Sequence, residues 1–255
     1  MTKQSGLGDN FYIGGYDLSG DVGAIQKVSA PTALLEETGI DKSAIERIKG
    51  LQGGEIAFNT WFNDANIAGG DPTNQEHWTL KLLPLTDVIA CYFRGTALGS
   101  PAAALVGKQV NYDWDRGADG SLQGSVQVLN NAYPQEWCEA LTLGKRTDGG
   151  ATAGPGLDYG FVGVPYGCSA YLQVFAFTGT DVTVKLQDAV ADTGYGDVAG
   201  GAFAQITVAN LATTRQQRIQ TALNLTIKRW VKVTTVTTGG FTNLVFAVAF
   251  DRYLG

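Results

Sequence analysis

A chain of 255 residues can form one large domain or two ordinary ones, and an apolar content of 44% excludes wholesale disorder. Only 16% of the residues are charged, well below the usual quarter, which is typical of a protein that buries surface against copies of itself. A weakly charged monomeric β-sandwich is the alternative. Residues 1–150 carry a net charge of −7 and residues 151–255 a net charge of +1, which indicates two units with different surroundings.

The three cysteines, Cys91, Cys138 and Cys168, stand far apart and form no CxxC pair, so neither a zinc site nor a disulfide framework is indicated. We expect buried, reduced thiols in a protein made in a reducing cytosol. The first residues lack the apolar core of a signal peptide, and no run reaches the length needed to cross a bilayer. The sequence therefore predicts no membrane partner.

The first fifth of the chain is predicted to be an extended arm followed by a short helix. The arm, residues 1–35, is punctuated by glycine and carries an aromatic cluster at Phe11, Tyr12 and Tyr16. Ser43 and Glu46 have the spacing of a capping box, which predicts a short helix over residues 42–49.

Strand signals begin at residue 55. Residues 55–62 alternate, with Ile56, Phe58 and Phe62 on one side, which predicts a half-buried strand. Residues 63–76 form a polar loop between Trp61 and Trp78. Loops of this length are usually functional or held by a partner.

Further strands and one helix complete the first unit. Residues 87–93 predict a central strand, and residues 106–114 and 121–130 predict a hairpin around an Asp- and Gly-rich turn. A helix is predicted to begin at Pro134, because Trp137, Ala140 and Leu141 recur at helical spacing, and to end at Gly144.

The composition changes across a Gly-rich stretch, which predicts a domain boundary. We divide the chain into a β domain with its N-terminal arm (1–145), a linker (146–157) and a C-terminal β-sandwich (158–255). The last unit is predicted to be an Ig-like or jelly-roll fold. Its predicted strands are 170–178, 182–188, 202–208, 226–235 and 241–250.

The search for catalytic motifs predicts that the chain is not an enzyme and needs no cofactor. His77 is the only histidine, and GxSxG, HExxH, Walker and GxGxxG motifs are absent. Carboxylate pairs capable of glycoside hydrolysis stay open, because spatial pairing cannot be read from a sequence.

Two binding alternatives also remain open. Asp113, Asp115 and Asp119 could hold Ca²⁺, but the spacing misses the EF-hand pattern, and Asp and Gly are also what a hairpin turn requires. The second unit could bind carbohydrate through Trp230 or Tyr195, although a tryptophan inside a strand more often packs on a sheet. Net acidity with scattered basic residues disfavours tight nucleic-acid binding.

Four segments carry a resemblance to a known family. They are GLGDNFYIGGYDLSG (6–20), IERIKGLQGGEIAF (45–58), DRGADGSL (115–122) and EW (136–137). Over residues 5–145 the chain resembles the major tail proteins of long-tailed phages that infect actinobacteria, the tail tube proteins of siphophages. The second unit resembles the extra β-sandwich that many tail tube proteins display outside the tube.

The resemblance implies a structural virion protein of the phage tail, synthesised in the host cytoplasm. Six subunits would form a ring, and rings would stack into a tube with an acidic lumen that double-stranded DNA passes without specific binding. Its partners would be copies of itself and other tail proteins such as the tape measure and terminator proteins. The alternatives are a capsid decoration or minor tail protein, or a sugar- or receptor-binding β-sandwich adhesin.

Two groups of site residues follow from this interpretation. Contacts between subunits are expected from the aromatic residues of the arm and of the long loop with its flanks, because neither segment can bury much surface within its own domain. These contact residues are Phe11, Tyr12, Tyr16, Trp61, Phe62, His77 and Trp78. Polar sides of the first unit's strands are expected to face the lumen, with Glu55, Asn59, Gln123 and Gln127 as candidates.

Overall fold

Nearly all regular structure of the described residues is β-strand. The computed structural model describes residues 7–63, 76–82, 86–161 and 163–254. Within these ranges two short helices occur, α1 (Glu76–Leu80) and α2 (Leu211–Thr214), which confirms the predicted mainly β class with one or two short helices. No described helix is long and apolar enough to cross a membrane.

Strands follow one another at short intervals along the described chain. In the first half they are β1 (Asn10–Ile13), β2 (Tyr16–Asp17), β3 (Val22–Ser29), β4 (Thr32–Glu36), β5 (Arg47–Gln52), β6 (Glu55–Trp61), β7 (Val88–Phe93), β8 (Pro101–Arg116), β9 (Leu122–Asn130) and β10 (Glu136–Ala140). In the second half they are β11 (Arg146–Asp148), β12 (Leu157–Asp158), β13 (Cys168–Gly179), β14 (Thr183–Ala189), β15 (Gly196–Ala202), β16 (Gln216–Gln220), β17 (Trp230–Val236) and β18 (Phe241–Arg252).

A twelve-stranded sheet joins both halves of the chain. Its main path is β16-β13-β18-β10-β8-β7-β1-β2, and β9, β6 and β3 continue from β8 as a branch. The branch forms because β8 is sixteen residues long: residues 102–107 pair with β7, and residues 107–116 pair with β9. A bulge between Gln109 and Asn111 follows the branch point. A separate four-stranded sheet, β12-β17-β14-β15, covers the second half.

Three apolar clusters form the core. The first lies between the layer of β1 and β7 and the layer of β6 and β9, with Phe11 and Phe58 in ring contact at 4.5 Å. The second fills the space between β13 and β18 and the four-stranded sheet. The third joins β1, β7, β8 and β10 to β13 and β18, with Tyr12 against Phe175 at 4.8 Å. Strands near the two ends of the path, β1 and β13, both contribute to this third cluster, so the long sheet curls around it.

The strand predicted over residues 182–188 is confirmed as β14, and it alternates as a strand with one buried face should. Val184 and Leu186 are fully buried, while Thr183, Lys185 and Gln187, which alternate with them, are partly exposed. Cys91, Cys138 and Cys168 are free and buried, as expected. Burial raises the pKa of the Cys91 thiol to about 12, which makes this thiol unreactive.

The predicted linker contains ordered strands. β11 pairs with β18, and Arg146 makes a bidentate ion pair with the buried Asp148 at 2.8 Å. Across the predicted boundary, β10 also pairs with β18, and the third cluster takes residues from both sides. The division into two domains remains a proposal, and any boundary at this position would cut through a shared sheet.

Both helices predicted at specific positions are wrong. Residues 47–52 form β5 of a hairpin, and residues 136–140 form β10 between β8 and β18. Glu136, Cys138 and Ala140 alternate with the more exposed Trp137 and Glu139, so the segment has strand periodicity. The helical spacing of the apolar residues does not determine the structure here. Neighbouring strands on both sides of β10 supply the backbone hydrogen bonds that a helix would have made internally.

One predicted strand is also misplaced. Residues 203–208 contribute an isolated bridge from Ile206 to Val182, whereas the strand of this region is β15, six residues earlier. The strand β16 was missed, because its sequence QQRIQ is polar and lacks the alternation of a half-buried strand.

Candidate functional surface

The four residues predicted to face a lumen lie on one face of the branch β3-β6-β9-β8. β6 and β9 are antiparallel, with Ala57 opposite Gln127 and Trp61 opposite Gln123. Side chains of a strand alternate between the two faces, and directly opposed residues share a face. Glu55, Asn59, Gln123 and Gln127 are therefore on the same face, which we call the polar sheet face.

The opposite side of the same strands fixes this arrangement. Ile56, Phe58, Val126 and Val128 are at most 1% exposed and pack in the first core cluster. A slip of one residue would move all four into solvent and bury the polar set, so the register is strongly specified.

The polar sheet face has a mixed charge. By register it carries three carboxylates and two ammonium groups from the described strands: Glu55, Asp113, Asp115, Lys27 and Lys108. Glu55 forms an ion pair with Lys27 and accepts a hydrogen bond of 2.6 Å from Gln127 Nε2. The hydrogen bond from Lys27 and, to a smaller extent, the one from Gln127 lower the pKa of Glu55. Its negative charge is thus largely compensated by the chain itself.

The aromatic residues around α1 form a cluster within one chain. His77 Nδ1 lies 2.8 Å from the Tyr112 hydroxyl, and the Phe62 ring packs on His77 at 5.0 Å and on Trp114 at 4.8 Å. Lys81 Nζ lies 3.2 Å from the centre of a Trp78 ring. His77 touches aromatic groups and a phenol, which is the environment of a packing residue.

The predicted subunit contacts divide into two groups. Phe11 and Tyr12 are buried in the core of their own chain, so their assignment to an exposed arm is wrong. The reason is that β1 pairs with β7 over its whole length, which draws the arm into the sheet. Trp61 is half exposed, and Tyr16, Phe62, His77 and Trp78 are partly exposed; their contact with a neighbouring subunit stays a prediction. Residues 64–75 of the long loop lie outside the described residues.

The described residues give no support to the calcium alternative. They contain no group of three His, Cys, Asp or Glu side chains that could hold a metal ion. Asp119 instead accepts a hydrogen bond of 3.0 Å from the Ser121 backbone, which lowers its pKa and closes the turn between β8 and β9. Tyr195 donates to Asp192 at 2.5 Å, and Lys232 lies over its ring at 3.9 Å, so this proposed sugar platform is already covered.

The sequence prediction missed an exposed apolar hairpin formed by β4 and β5. Among the strands that the structure describes, these two pair only with each other, and every residue from 33 to 49 is exposed. Six large apolar side chains of this hairpin are in solvent: Leu34, Leu35, Ile40, Ile45, Ile48 and Leu51. Their spacing fits neither a single helix face nor a strict alternation, and the capping-box pattern favoured a helix instead.

A buried polar network also escaped the sequence prediction. The Glu136 carboxylate accepts hydrogen bonds from Ser169, Tyr171, Tyr253 (2.8 Å) and the Arg218 guanidinium (3.0 Å). These residues come from four separate strands or their ends, up to 117 positions apart in the chain. The network joins β10 of the first half to β13, β16 and the end of β18.

Comparison with known proteins gives a weak structural likeness. No family model matches the chain, and no curated protein matches it. Among solved structures it is similar to the SPP1 Dit (gp 19.1) protein, described as a paradigm of the hub adsorption apparatus in phages infecting Gram-positive bacteria. The identity is 13%, the TM-score 0.37, and 96% of this chain and 99% of that chain are covered. It is also similar to the phage P2 baseplate in its activated conformation with Ca, at 11% identity and a TM-score of 0.32, covering 94% and 97%.

Proposed function

We propose that the chain is a structural protein of a phage tail that assembles with copies of itself into rings, and that the rings stack into a tail tube. The phage assignment is supported by the sequence resemblance over residues 5–145. The assembly is supported by one structural observation, the exposed apolar hairpin of β4 and β5. A histidine-based catalytic site gains no support, since the only histidine packs among aromatic rings.

The hairpin needs a partner for physical reasons. A two-stranded hairpin without further strands is marginally stable in water, and contiguous exposed apolar residues mark interaction sites. The tip residue Ile40 is fully exposed, and Leu51 near the base is 89% exposed. Packing the hairpin on a neighbouring subunit would bury these side chains and complete the sheet of β4 and β5. A heterologous contact of this kind closes into a ring when its rotation allows.

The polar sheet face is the part that we place towards the lumen. Its carboxylates and ammonium groups nearly balance, and Glu55 is held by Lys27. Such a face offers few free cations to DNA phosphates, and each avoided phosphate contact removes a counterion-release contribution to binding. In this proposal DNA passes without adhering because the lumen is lined by neutral polar groups and local ion pairs. The net charge of the first unit had suggested a strongly acidic lining instead.

The hairpin is tested by replacing Leu34, Ile40 and Leu51 together with serine. Burying one such side chain contributes about 1.5–3 kcal/mol, so replacing all three removes roughly 4.5–9 kcal/mol from each hairpin contact. Light scattering and negative-stain microscopy should show rings or tubes for the unmodified protein and monomers for the variant. All three side chains are exposed, so the monomer fold should be unchanged by circular dichroism.

A matched control replaces Leu143, Val190 and Val208 with serine, since these exposed apolar residues lie outside the hairpin. The control should assemble normally. Assembly of the hairpin variant would contradict the role of the hairpin, and an unmodified protein that stays monomeric at every concentration would contradict the proposed function. Closed rings that never stack would favour a minor tail protein over a tube protein.

A further inference from the structure

A groove opens where β10 and β18 separate. Within the described chain the two strands pair through Glu139 with Phe250 and through Ala140 with Ala249. Beyond these pairs β10 pairs only with β8, and the end of β18 pairs only with β13. The groove between the two diverging strands has a volume of about 920 Å³. This volume lies in the range of small-molecule binding sites.

Arg252 lines this groove with an incompletely satisfied guanidinium. The residue is 3% exposed, and its guanidinium lies between the rings of Tyr159 (4.1 Å) and Phe161 (4.6 Å). Its Nη1 makes one long contact of 3.4 Å with the Lys228 carbonyl. Its Nε and Nη2 are buried and have no acceptor among the described residues. Buried donors of a charged group without an acceptor are costly, so an acceptor supplied by a bound molecule would stabilise this guanidinium.

The unsatisfied edge has a defined geometry. Nε and Nη2 are the two parallel donors that Arg146 directs at Asp148 and that Arg229 directs at Asp158, in both cases bidentately. Arg252 therefore presents a pair of parallel donors suited to two neighbouring oxygen atoms.

The other groups of the groove indicate the chemistry of the ligand. Glu139 and Asp251 also line it, and burial raises the pKa of both carboxyls, to about 7 for Asp251. Glu136 lines it as well, already paired with Arg218. Arg218 compensates Glu136, and the remaining carboxyls of Glu139 and Asp251 face a single further cation, Arg252, so the groove has no excess of positive charge for a carboxylate or phosphate ligand. A neutral ligand with hydroxyl groups can accept from Arg252 and donate to a carboxylate at the same time.

A flat apolar surface stands beside these polar groups. Trp137 is 59% exposed, and it shares a side of β10 with Glu139, roughly 6–7 Å away by the rise of a strand. Glu139 in turn accepts a hydrogen bond of 3.2 Å from Tyr159, whose ring stacks on Arg252. An aromatic face next to polar groups suits a ligand with one apolar face and a rim of hydroxyls.

We propose that the groove between β10 and β18 is a saccharide-binding site. A sugar ring stacks on Trp137, and one of its hydroxyls donates to Glu139. On binding, the buried Arg252 side chain turns its Nε and Nη2 towards two adjacent hydroxyl oxygens, which accept hydrogen bonds from them. This activity is additional to the structural role and would let an assembled particle contact a glycan surface. It is measurable on the unassembled chain, so its outcome is independent of the assembly test.

The test uses a glycan array, followed by calorimetric titration of the full chain with maltose, cellobiose, trehalose and N,N′-diacetylchitobiose up to about 10 mM. At least one array glycan or disaccharide should bind. Trp137→Ala should weaken that binding about tenfold or more. Arg252→Lys keeps the charge but loses the parallel donors, and it should weaken binding by a similar factor.

Trp61→Ala is the matched control, because Trp61 is a comparably exposed tryptophan on a different surface. It should leave binding unchanged. Absence of binding on the array and with all four disaccharides would overturn the proposal, as would binding that survives Trp137→Ala. A peptide of residues 32–52 that binds the groove, where the saccharides do not, would also overturn it and would make the groove an assembly surface.

Discussion

The sharpest stability prediction concerns the buried carboxylate of Glu136. The Glu136 and Arg218 side chains are each 9% exposed, and their oxygen and nitrogen atoms are 3.0 Å apart. Glu136→Ala leaves the guanidinium and the hydroxyls of Ser169, Tyr171 and Tyr253 without this acceptor. Removing one partner of a buried ion pair costs about 3–5 kcal/mol, so we expect a loss of this size in the free energy of unfolding.

Urea unfolding measures this loss directly. With a slope of about 3 kcal/mol per molar urea for a chain of this size, the midpoint should fall by roughly 1–1.7 M. Lys185→Ala is the control, because it breaks an ion pair with Asp197 whose carboxylate is 52% exposed. Exposed pairs contribute about 0–1 kcal/mol, so the control should barely move the midpoint.

A double replacement separates a buried charge from a general packing effect. Changing Glu136 to Leu and Arg218 to Met removes both charges at once, so neither remains buried alone. The double variant should be more stable than Glu136→Ala. A loss below about 1 kcal/mol for Glu136→Ala, or a double variant that is less stable than the single one, would refute the reasoning.

Four further predictions follow from local features. Phe58→Ala, in the first core cluster, should lower the free energy of unfolding by about 3–5 kcal/mol in the same urea assay, and a loss under 1 kcal/mol would contradict its burial. Burial raises the pKa of Glu76 to about 7, so the folded state holds the proton of this carboxyl more tightly than the unfolded state does. The free energy of unfolding should therefore fall as the pH rises from about 4.5 to 7. Melting curves recorded at pH 4.5 and pH 7 should show a smaller fall for Glu76→Gln. Glu55→Lys adds a second cation beside Lys27 on the polar sheet face, so this variant should bind double-stranded DNA in gel shifts at low salt and bind it more weakly at higher salt. DNA binding equal to that of the unmodified protein would count against our placement of this face. A fragment of residues 146–255 should melt at a higher temperature than one of residues 158–255, because only the longer fragment keeps β11 paired with β18; equal melting temperatures would show that this pairing adds nothing.

The strands of the polar sheet face show how much the sequence could predict. Glu55 and Asn59 are two strand periods apart, and so are Gln123 and Gln127, so each pair had to share a face once a strand formed. The Asp- and Gly-rich turn at 115–120 made β8 and β9 a hairpin. These are local signals, and the structure confirms the strands.

The interface residues show where local signals fail. Phe11 and Tyr12 looked exposed because the glycine-rich segment around them has little apolar sequence of its own. Their burial comes from pairing with β7, about eighty positions later in the chain. Trp137 and Ala140 suggested a helix for the same reason, because the sequence does not show that β8 and β18 pair with this segment on its two sides.

The sequence by itself determined that the chain is mainly β, that its cysteines are buried and unpaired, and which polar residues share a strand face, because alternation and turn chemistry act over a few residues. Only the tertiary structure decided that Glu136 meets Arg218. It also decided that, within the described residues, β4 and β5 pair only with each other and the Nε–Nη2 edge of Arg252 has no acceptor. Each of these depends on which distant strand becomes a neighbour. Burial and hydrogen-bond satisfaction are properties of neighbours in space, and in a sheet most of those neighbours are far apart in the chain.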